Sequence, residues 1–461
     1  MGNVLAENVS RDAGGLIYSV PQEIVVPQNV NELCDVISRC DSRSRQIVVR
    51  GGGKTTEGES LVSSDELLLH MRGMNRVIDF DESIVSVEGG ATYQEIQNTL
   101  YRYNKDIISA PLNISATVGG TLGLGGIDVN SAFEGCSADQ VIEIDVILPS
   151  GECVTCSESD NAELFEAVLY GYGQFGVIAR ASVRIKKYSA IRLDFLYHNK
   201  LEMAIDDLLI LEKEKCCDHL AILTLMDEVA CVIVGFEDEE KYHRFKSKRS
   251  SFSGVGEMGL VLKKTLDAIK QPHFLGKLPF LMKSRSKILD SLHDPMFMRE
   301  GYLHNRHGAF GKLIWGYWGK QPLVIPDLSL TLDTFKQGVL EGNDICKRYF
   351  SHYTLYIILV KKHVWKDRYD MGPFPETKDT LLGGVEFEPL FLSGETPVDK
   401  IQQFKDDIFS LGKKLNGRAY RFGGGMKKHA KDFCGDDNWN TFLDQKKRYD
   451  PNNILNAGTL K

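Results

Sequence analysis

The chain has 461 residues, room for two or three domains with cores of their own. Lys and Arg total 55 against 63 Asp and Glu, a formal charge of −8, which argues against a general nucleic-acid or membrane-surface binder. No apolar run is long enough to span a bilayer.

The start, MGNVLAENVSRDAGG, lacks the basic and apolar regions of a secretory signal. Ala6 stands where a myristoylation motif beginning at Gly2 needs Ser or Thr. These features predict a cytoplasmic protein with no membrane anchor. The ten cysteines then read as reduced thiols. Cys153 and Cys156 form a CxxC, but ECVTC reads as a strand, and residues three apart on a strand point to opposite faces, so no redox or zinc site is expected. Cys216 and Cys217 read as packing residues.

Residues 16–26 read as extended, ending in EIVVP. After Pro27-Gln28-Asn29, Val30, Leu33, Val36 and Ile37 recur at helical spacing. The strand Ile47-Val48-Val49 then breaks into Gly51-Gly52-Gly53 and runs on to Gly58. Consecutive glycines let a backbone turn sharply and bring its N–H groups close to a ligand, in an anion-binding concavity. Arg50 adds charge, and Thr55, Thr56 and Ser60 add hydroxyls. The stretch reads as a diphosphate cradle, with a plain structural turn as the alternative. Neither the Walker A nor the Rossmann spacing is present. Strands follow at ELLLH, NRVIDF and IVSVEGG, then a helix with Tyr93, Ile96, Leu100 and Tyr103 on one side.

A second stretch, ISAPLNISATVGGTLGLGGI, places Gly119, Gly120, Gly123, Gly125 and Gly126 within eight residues. A flat ring or a diphosphate can lie directly on such a backbone; a packed turn of small residues is the alternative. VIEIDVILPSG and ECVTCS predict a hairpin about Pro149-Ser150-Gly151. NAELFEAVLYG predicts a helix capped by Asn161 or Asp160. It leads to a third glycine loop in GYGQFGVIARASVRI.

The run TVGGTLGLGGI, then GCSADQVIEIDVILPSGECVTCSESDNAELFEAVLYGYGQFGVIARASVRI, with RYDPNNILNAG near the C-terminus, resembles the FAD-binding domain of the vanillyl-alcohol-oxidase / p-cresol-methylhydroxylase superfamily. Within it the likeness is to cytokinin dehydrogenases and bacterial FAD-linked oxidases. It covers residues 15–190 and 430–461; between them, PLVIPDLSLTLDTF resembles a strand-and-helix entry of the substrate domain.

The resemblance implies an α+β fold: a PCMH-type FAD-binding domain of two subdomains over 15–190, a substrate domain over 191–429 with an antiparallel sheet flanked by helices, and a returning segment, 430–461. It implies that Arg50, Gly51, Gly52, Gly53, Lys54, Thr55, Gly58, Glu59 and Ser60 hold the FAD diphosphate. Thr117, Gly119, Gly120 and Thr121 would lie along the diphosphate and flavin, with Gly123 and Gly126 nearby. Asp139 would sit on the adenosine side, Gly176, Val177 and Ile178 at the adenine end, and Asn456 at the isoalloxazine edge.

The sequence departs from that pattern. Lys54 stands where many members carry a His joined covalently to the flavin, so FAD held without a covalent bond is expected. Leu112, with Asn113 beside it, stands where cytokinin dehydrogenases carry the Asp that takes the substrate's proton; leucine cannot accept one and neutral Asn is a poor base. Ala457 and Thr459 replace a common Pro and Gln.

In the middle of the chain, HLAILTLMDEVACVIVGFE and HYTLYIILVKKHVW read as strands, and Ile401, Phe404, Ile408 and Leu411 mark a helix. Residues 248–283 read as a lid or a helical insertion. In YRFGGGMKKHAKDF, Tyr420, Lys427, Lys428 and His429 gather about a triple glycine. Either this is a loop with a solvated basic face, or Lys428 or His429 steers an acidic group or acts as base near the ring. Tyr420 and Asn113 complete the catalytic candidates. His304 and His307 form an HxxH without a third ligand, so no metal site is expected. Tyr302 and the segment from Trp315 to Trp318 fit a substrate pocket or a core.

The expected protein is an FAD-dependent oxidoreductase oxidising a small molecule at a C–N or C–O bond, with oxygen or another electron acceptor. The alternatives are an alcohol or sugar oxidase, or a tailoring enzyme, of the same superfamily, and an FAD-binding protein that has lost oxidase activity. Substrate identity and oligomeric state are left open.

Overall fold

The structure is a computed structural model describing residues 2–63, 65–225, 229–254, 323–362, 372, 374–389, 398–420 and 427–458. Its elements in chain order are α1 Gly2–Val9, β1 Glu23–Val25, α2 Val30–Asp41, β2 Ile47–Arg50, β3 Leu67–His70, β4 Val77–Phe80, β5 Ile84–Glu88, α3 Tyr93–Leu100, β6 Lys105–Ile107, α4 Val118–Leu122, α5 Ser131–Glu134, β7 Val141–Ile147, β8 Cys153–Ser157, α6 Ala162–Val168 and β9 Val177–Lys187. There follow β10 Arg192–His198, α7 Leu201–Glu214, β11 His219–Leu225, β12 Val229–Phe236, α8 Glu239–Ser247, β13 Asp327–Thr331, α9 Leu332–Tyr349, β14 Tyr353–Lys361, β15 Leu381–Pro389, α10 Val398–Lys414, α11 Lys427–Cys434 and α12 Asp436–Tyr449.

Local chemistry sets the early elements. Asn29 caps α2 by accepting from the Glu32 N–H, and Leu33, Val36, Ile37 and Cys40 line its buried stripe. Thr92 and Glu95 form a capping box at the start of α3. α3 ends at Leu100, and the expected helical position Tyr103 falls instead in a 3₁₀ turn and is exposed. Asn161 sits at the start of α6 with φ +49°, but its side chain caps nothing; Nδ2 donates to the Thr155 carbonyl. The second glycine stretch contains the short helix α4, Val118–Leu122. The predicted hairpin is β7–β8, with Cys153 exposed and Cys156 buried on opposite faces.

Three sheets result. β1, β3 and β2 are parallel, in the order β1-β3-β2, and α2 packs on them through Leu33, Ile37, Ile47, Leu67 and Leu69. The second sheet is antiparallel, in the order β4-β5-β9-β7-β8, with β6 also pairing with β9. The third is antiparallel, in the order β10-β12-β11-β14-β15-β13. Alternation along its strands decides its two faces. Phe387 of β15 packs against Gly342 of α9, where an added Cβ would lie 2.3 Å from the ring, and Leu328 of β13 packs against Gly412 of α10. Odd positions of β15 and even positions of β13 therefore meet helices. Glu386, Gly384, Asp327 and Ser329 face the other way.

The C-terminal segment returns to the first sheet. Ile47 bridges Leu455, and the Ile47 N–H donates to the Ile454 carbonyl at 2.7 Å. Buried Lys446 fastens this return: Nζ donates to the carbonyls of Gln174 and Leu455, each at 2.8 Å, and to Asp450 Oδ2 at 2.6 Å. Asp450 in turn accepts from the N–H groups of Ile454 and Leu455. Lys446→Met leaves that carboxylate buried without its cation, so urea unfolding should show a loss of about 3–5 kcal/mol. A loss below about 1 kcal/mol would show that the return is held by apolar packing alone.

Candidate functional site: a cleft between the glycine loops and the third sheet

Strand β2 delivers the first loop. Arg50 is turned into that loop rather than toward the cleft: Nη1 donates to the Ser60 hydroxyl at 3.1 Å, and Nη2 to the Arg11 carbonyl at 2.7 Å. Gly53 makes room for it, with φ +63° and an added Cβ only 2.2 Å from Nη2. Arg50 thus shapes the loop, which corrects its expected place beside the ligand. The loop is braced from two sides. Asp12 Oδ2 accepts from the Gly58 N–H at 2.8 Å and the Thr55 hydroxyl at 3.2 Å, and the Ala13 N–H donates to the Gly53 carbonyl. Across the loop, Lys405 of α10 donates to both Glu57 oxygens at 2.6 and 2.5 Å, with side chains only 5% and 10% exposed.

The second loop lies directly on the first. A Cβ at Gly51 would sit 2.0 Å from Thr117 Oγ1, and one at Gly52 would sit 2.9 Å from the Ser115 carbonyl. The N–H groups of Val118 and Gly119 donate to the carbonyls of Ala91 and Gly89, holding α4 against the second sheet. Gly126, at φ +74°, donates its N–H to the Tyr420 hydroxyl at 2.9 Å. In the third loop a Cβ at Gly173 would lie 2.4 Å from Asn456 Nδ2. That amide donates to the carbonyls of Tyr172 and Gly173, while Oδ1 accepts from the Val49 N–H at 2.8 Å. Asn456 therefore ties strand β2 to the third loop.

These loops wall one side of a cleft that is partly open to solvent. Gly51, Gly52, Gly53, Lys54, Thr55, Glu59 and Ser60 lie on its wall, as do Thr117, Gly119, Gly120, Thr121, Gly123 and Gly126. Gly176, Val177, Ile178 and Asn456 line it too, and so do Leu112, Asn113 and Tyr420. Asn113 Oδ1 accepts from the N–H and hydroxyl of Ser115, closing its own turn. Arg50, Gly58 and Asp139 are absent from the wall. Gly58 packs against Ile17, and Asp139 is buried with Oδ2 accepting from the Cys136 N–H at 2.7 Å. The backbone of Lys428 and His429 lies in α11, and their side chains are outside the described residues. So are Tyr302, His304, His307, the segment from Trp315 to Trp318, and residues 255–283.

The residues of the opposite wall escaped the sequence reading. They come from the third sheet: Asp327 and Ser329 of β13, Gly384 and Glu386 of β15, Ile358 and Val360 of β14. The only signal was alternation along three strands whose order in the sheet no local pattern reveals.

The glycine-floored side suits a dinucleotide. The backbone comes close to the cleft at Gly51–Gly53 and Gly119–Gly120, and Lys54 is a cation on the same wall. The Thr121 hydroxyl, on a residue 5% exposed, has no protein partner there.

Residues 21–157 match the family described as FAD binding domain. The chain carries an FAD binding domain. The matched stretch holds the first two glycine loops and stops short of the third. Among similar proteins are the uncharacterized oxidoreductase ORF5 of the fasciation locus of Rhodococcoides fascians, 30% identical over 45% of this chain and 48% of its own. Cytokinin dehydrogenase 3 of Arabidopsis thaliana is 31% identical over 48% of this chain and 44% of its own, and L-gulonolactone oxidase of Bos taurus is 27% identical over 36% and 37%. The chain spans about half the length of the first two relatives. FAD is the cofactor this domain binds, and Lys54, Thr55, Ser60 and Thr121 are polar residues on the same wall of the cleft.

Burial pushes the Glu59 carboxyl up to about 7 from an ordinary 4.5; the N–H groups of Glu59 and Glu57 pull the other way, and the Glu57 and Asp12 carboxylates add to the rise. The folded chain therefore holds an extra proton between pH 4.5 and 7, and this contribution to stability falls as pH rises through that window. Between pH 5 and pH 8 the wild type should lose roughly 2 kcal/mol relative to Glu59→Gln, read by thermal unfolding. Parallel pH profiles for the two proteins would contradict the assignment.

Proposed function

We propose that the chain is an FAD-dependent oxidoreductase of the cytokinin-dehydrogenase-like type. It oxidises a small organic molecule at a C–N or C–O bond. The supporting observation is the cleft itself: FAD-domain glycine loops form one wall, and the face of an antiparallel sheet turned away from α9 and α10 forms the other. We place the FAD-binding domain at 15–190, the substrate domain at 191–429 and the returning segment at 430–461. When bound, FAD supplies a two-electron acceptor for a hydride from the substrate carbon. The chain's own part is to hold the cofactor on the glycine floor, seat the substrate under the sheet and accept the substrate's proton.

Lys54 in place of a family His supports FAD held without a covalent bond. Oxygen or another acceptor takes the electrons onward. Similarity to an L-gulonolactone oxidase favours a second reading, an alcohol or sugar oxidase, within the same chemistry. Ten free thiols, most of them buried, support a cytoplasmic setting. Among the described residues no helix is long and apolar enough to cross a membrane.

Purified protein should reduce a dye with some member of a panel of alcohols and amines. Gly120→Leu, which fills the floor of the cleft, should lower bound FAD at least about tenfold with the fold intact. A fully loaded Gly120→Leu protein, or no turnover across the panel, would count against this function.

A further inference from the structure

Eight of the ten cysteines are buried; Cys153 is exposed and Cys34 is half-buried. These two reachable thiols lie on surfaces that face each other. The tight turn at Gly151, with φ +85°, is pressed against α2. An added Cβ there would lie 2.9 Å from the Cys34 carbonyl and 2.7 Å from Ser38 Cβ. Two residues on, Cys153 opens β8 directly opposite Ile147 of β7. Directly opposed residues on antiparallel strands share a face. Ile147 is wholly buried in the cluster that holds Leu33 and Ile37 of α2, and Cys34 packs on that cluster's margin. Cys153 therefore stands on the face that α2 covers, at its rim, on the side of Cys34. Cys156, the other half of the CxxC, points to the opposite face and is buried.

The setting keeps both sulfurs protonated at neutral pH. Burial first, then the Asp145 carboxylate and the charge of Cys34 itself, push the Cys153 thiol up from its ordinary range. Burial first, then Asp35, does the same at Cys34, against an opposing pull from the backbone there. The thiolate is the attacking form, so this pair reacts slowly at neutral pH and faster as pH rises. The two elements belong to different sheets. α2 packs on the first sheet, whose strand β2 delivers the first glycine loop. β8 is the edge strand of the second sheet, against which the second loop is held. A bond between Cys34 and Cys153 would fasten together the two sheets whose loops floor the cleft.

From this juxtaposition we infer that Cys34 and Cys153 are a modification site, a thiol pair that a small disulfide such as oxidised glutathione converts to a reversible clamp between α2 and β8. The exposed Cys153 gives up its proton and attacks one sulfur of the reagent. The reagent's S–S bond breaks, and the released glutathione takes up that proton. Cys34 then gives up its own proton and attacks the Cys153 sulfur. The second glutathione leaves and takes up the second proton. One S–S bond is broken in the reagent and one is formed in the protein. The two protein thiols are oxidised by two electrons, and the reagent is reduced by two, to two thiols. The site stands apart from the flavoenzyme reading and does not depend on it.

The test is incubation of the purified full chain with oxidised glutathione, then mass spectrometric peptide mapping without reduction. One cross-linked peptide pair carrying Cys34 and Cys153 should appear, and dithiothreitol should remove it. It should form at least about tenfold faster at about pH 8.5 than at about pH 7. Cross-linking should raise the melting temperature by at least about 3 °C. Cys34→Ser should stop with one glutathione held on Cys153. Cys153→Ser, a change at an exposed position, should leave every remaining thiol unmodified. The assignment is overturned by wild type that keeps glutathione on Cys153 without the cross-link, leaves both thiols free, or pairs either with another cysteine. A cross-link that leaves the melting temperature unchanged would overturn the clamp.

Discussion

Backbone lies on backbone where the first two glycine loops meet. A single methyl group at Gly51 would intrude to 2.0 Å of Thr117 Oγ1, and neither neighbour can withdraw freely. Thr117 leads into α4, which is hydrogen-bonded to Gly89 and Ala91 at the end of β5. Gly51 follows a strand that is paired with β3 and with the C-terminal segment. The two loops therefore meet with the Gly51 main chain against the Thr117 side chain and the Gly52 main chain against the Ser115 carbonyl, and the cleft floor is rich in exposed peptide groups. Such a floor suits a large, flat, phosphate-bearing cofactor, which needs area and N–H groups more than it needs shape-specific side chains.

Around that contact the protein places buried polar ties between distant parts of the chain. Asp12 holds the first loop from the N-terminal side, and Lys405 holds Glu57 from a helix of the substrate side. Lys446 and Asn456 bind the C-terminal return to the third loop and to β2. Each tie is satisfied by several hydrogen bonds, the condition under which a buried charge specifies a geometry instead of merely costing stability. The result is a glycine-loop wall whose position depends on distant parts of the chain, facing a wall made by the third sheet.

Much of the first wall was legible in the sequence because its signals are local. Consecutive glycines after a strand, the capping box at Thr92 and Glu95, the apolar stripe of α2 and the hairpin at Pro149-Ser150-Gly151 each act within a few residues. The likeness of the glycine stretches to a known FAD domain is matched independently over residues 21–157. Other features were hidden because they are relations across hundreds of positions. Arg50 looks like a phosphate ligand until the Arg11 carbonyl and Ser60 are seen to hold its guanidinium. Asp139 looks like a ligand residue until its carboxylate is found on the Cys136 N–H. Glu386 and Asp327 are unremarkable in the sequence and become a pair only through the register of β13 on β15. Leu112 marks a departure from the family pattern that the sequence shows directly, whereas the side chains of Lys428 and His429 lie outside the described residues.

The most direct test of the central claim is the visible absorption spectrum of the purified protein, before and after acid precipitation. The account predicts a flavin spectrum that passes into the acid supernatant. Colour retained in the pellet would contradict the non-covalent hold inferred from Lys54, and a colourless protein that takes up no added FAD would contradict the account of the cleft.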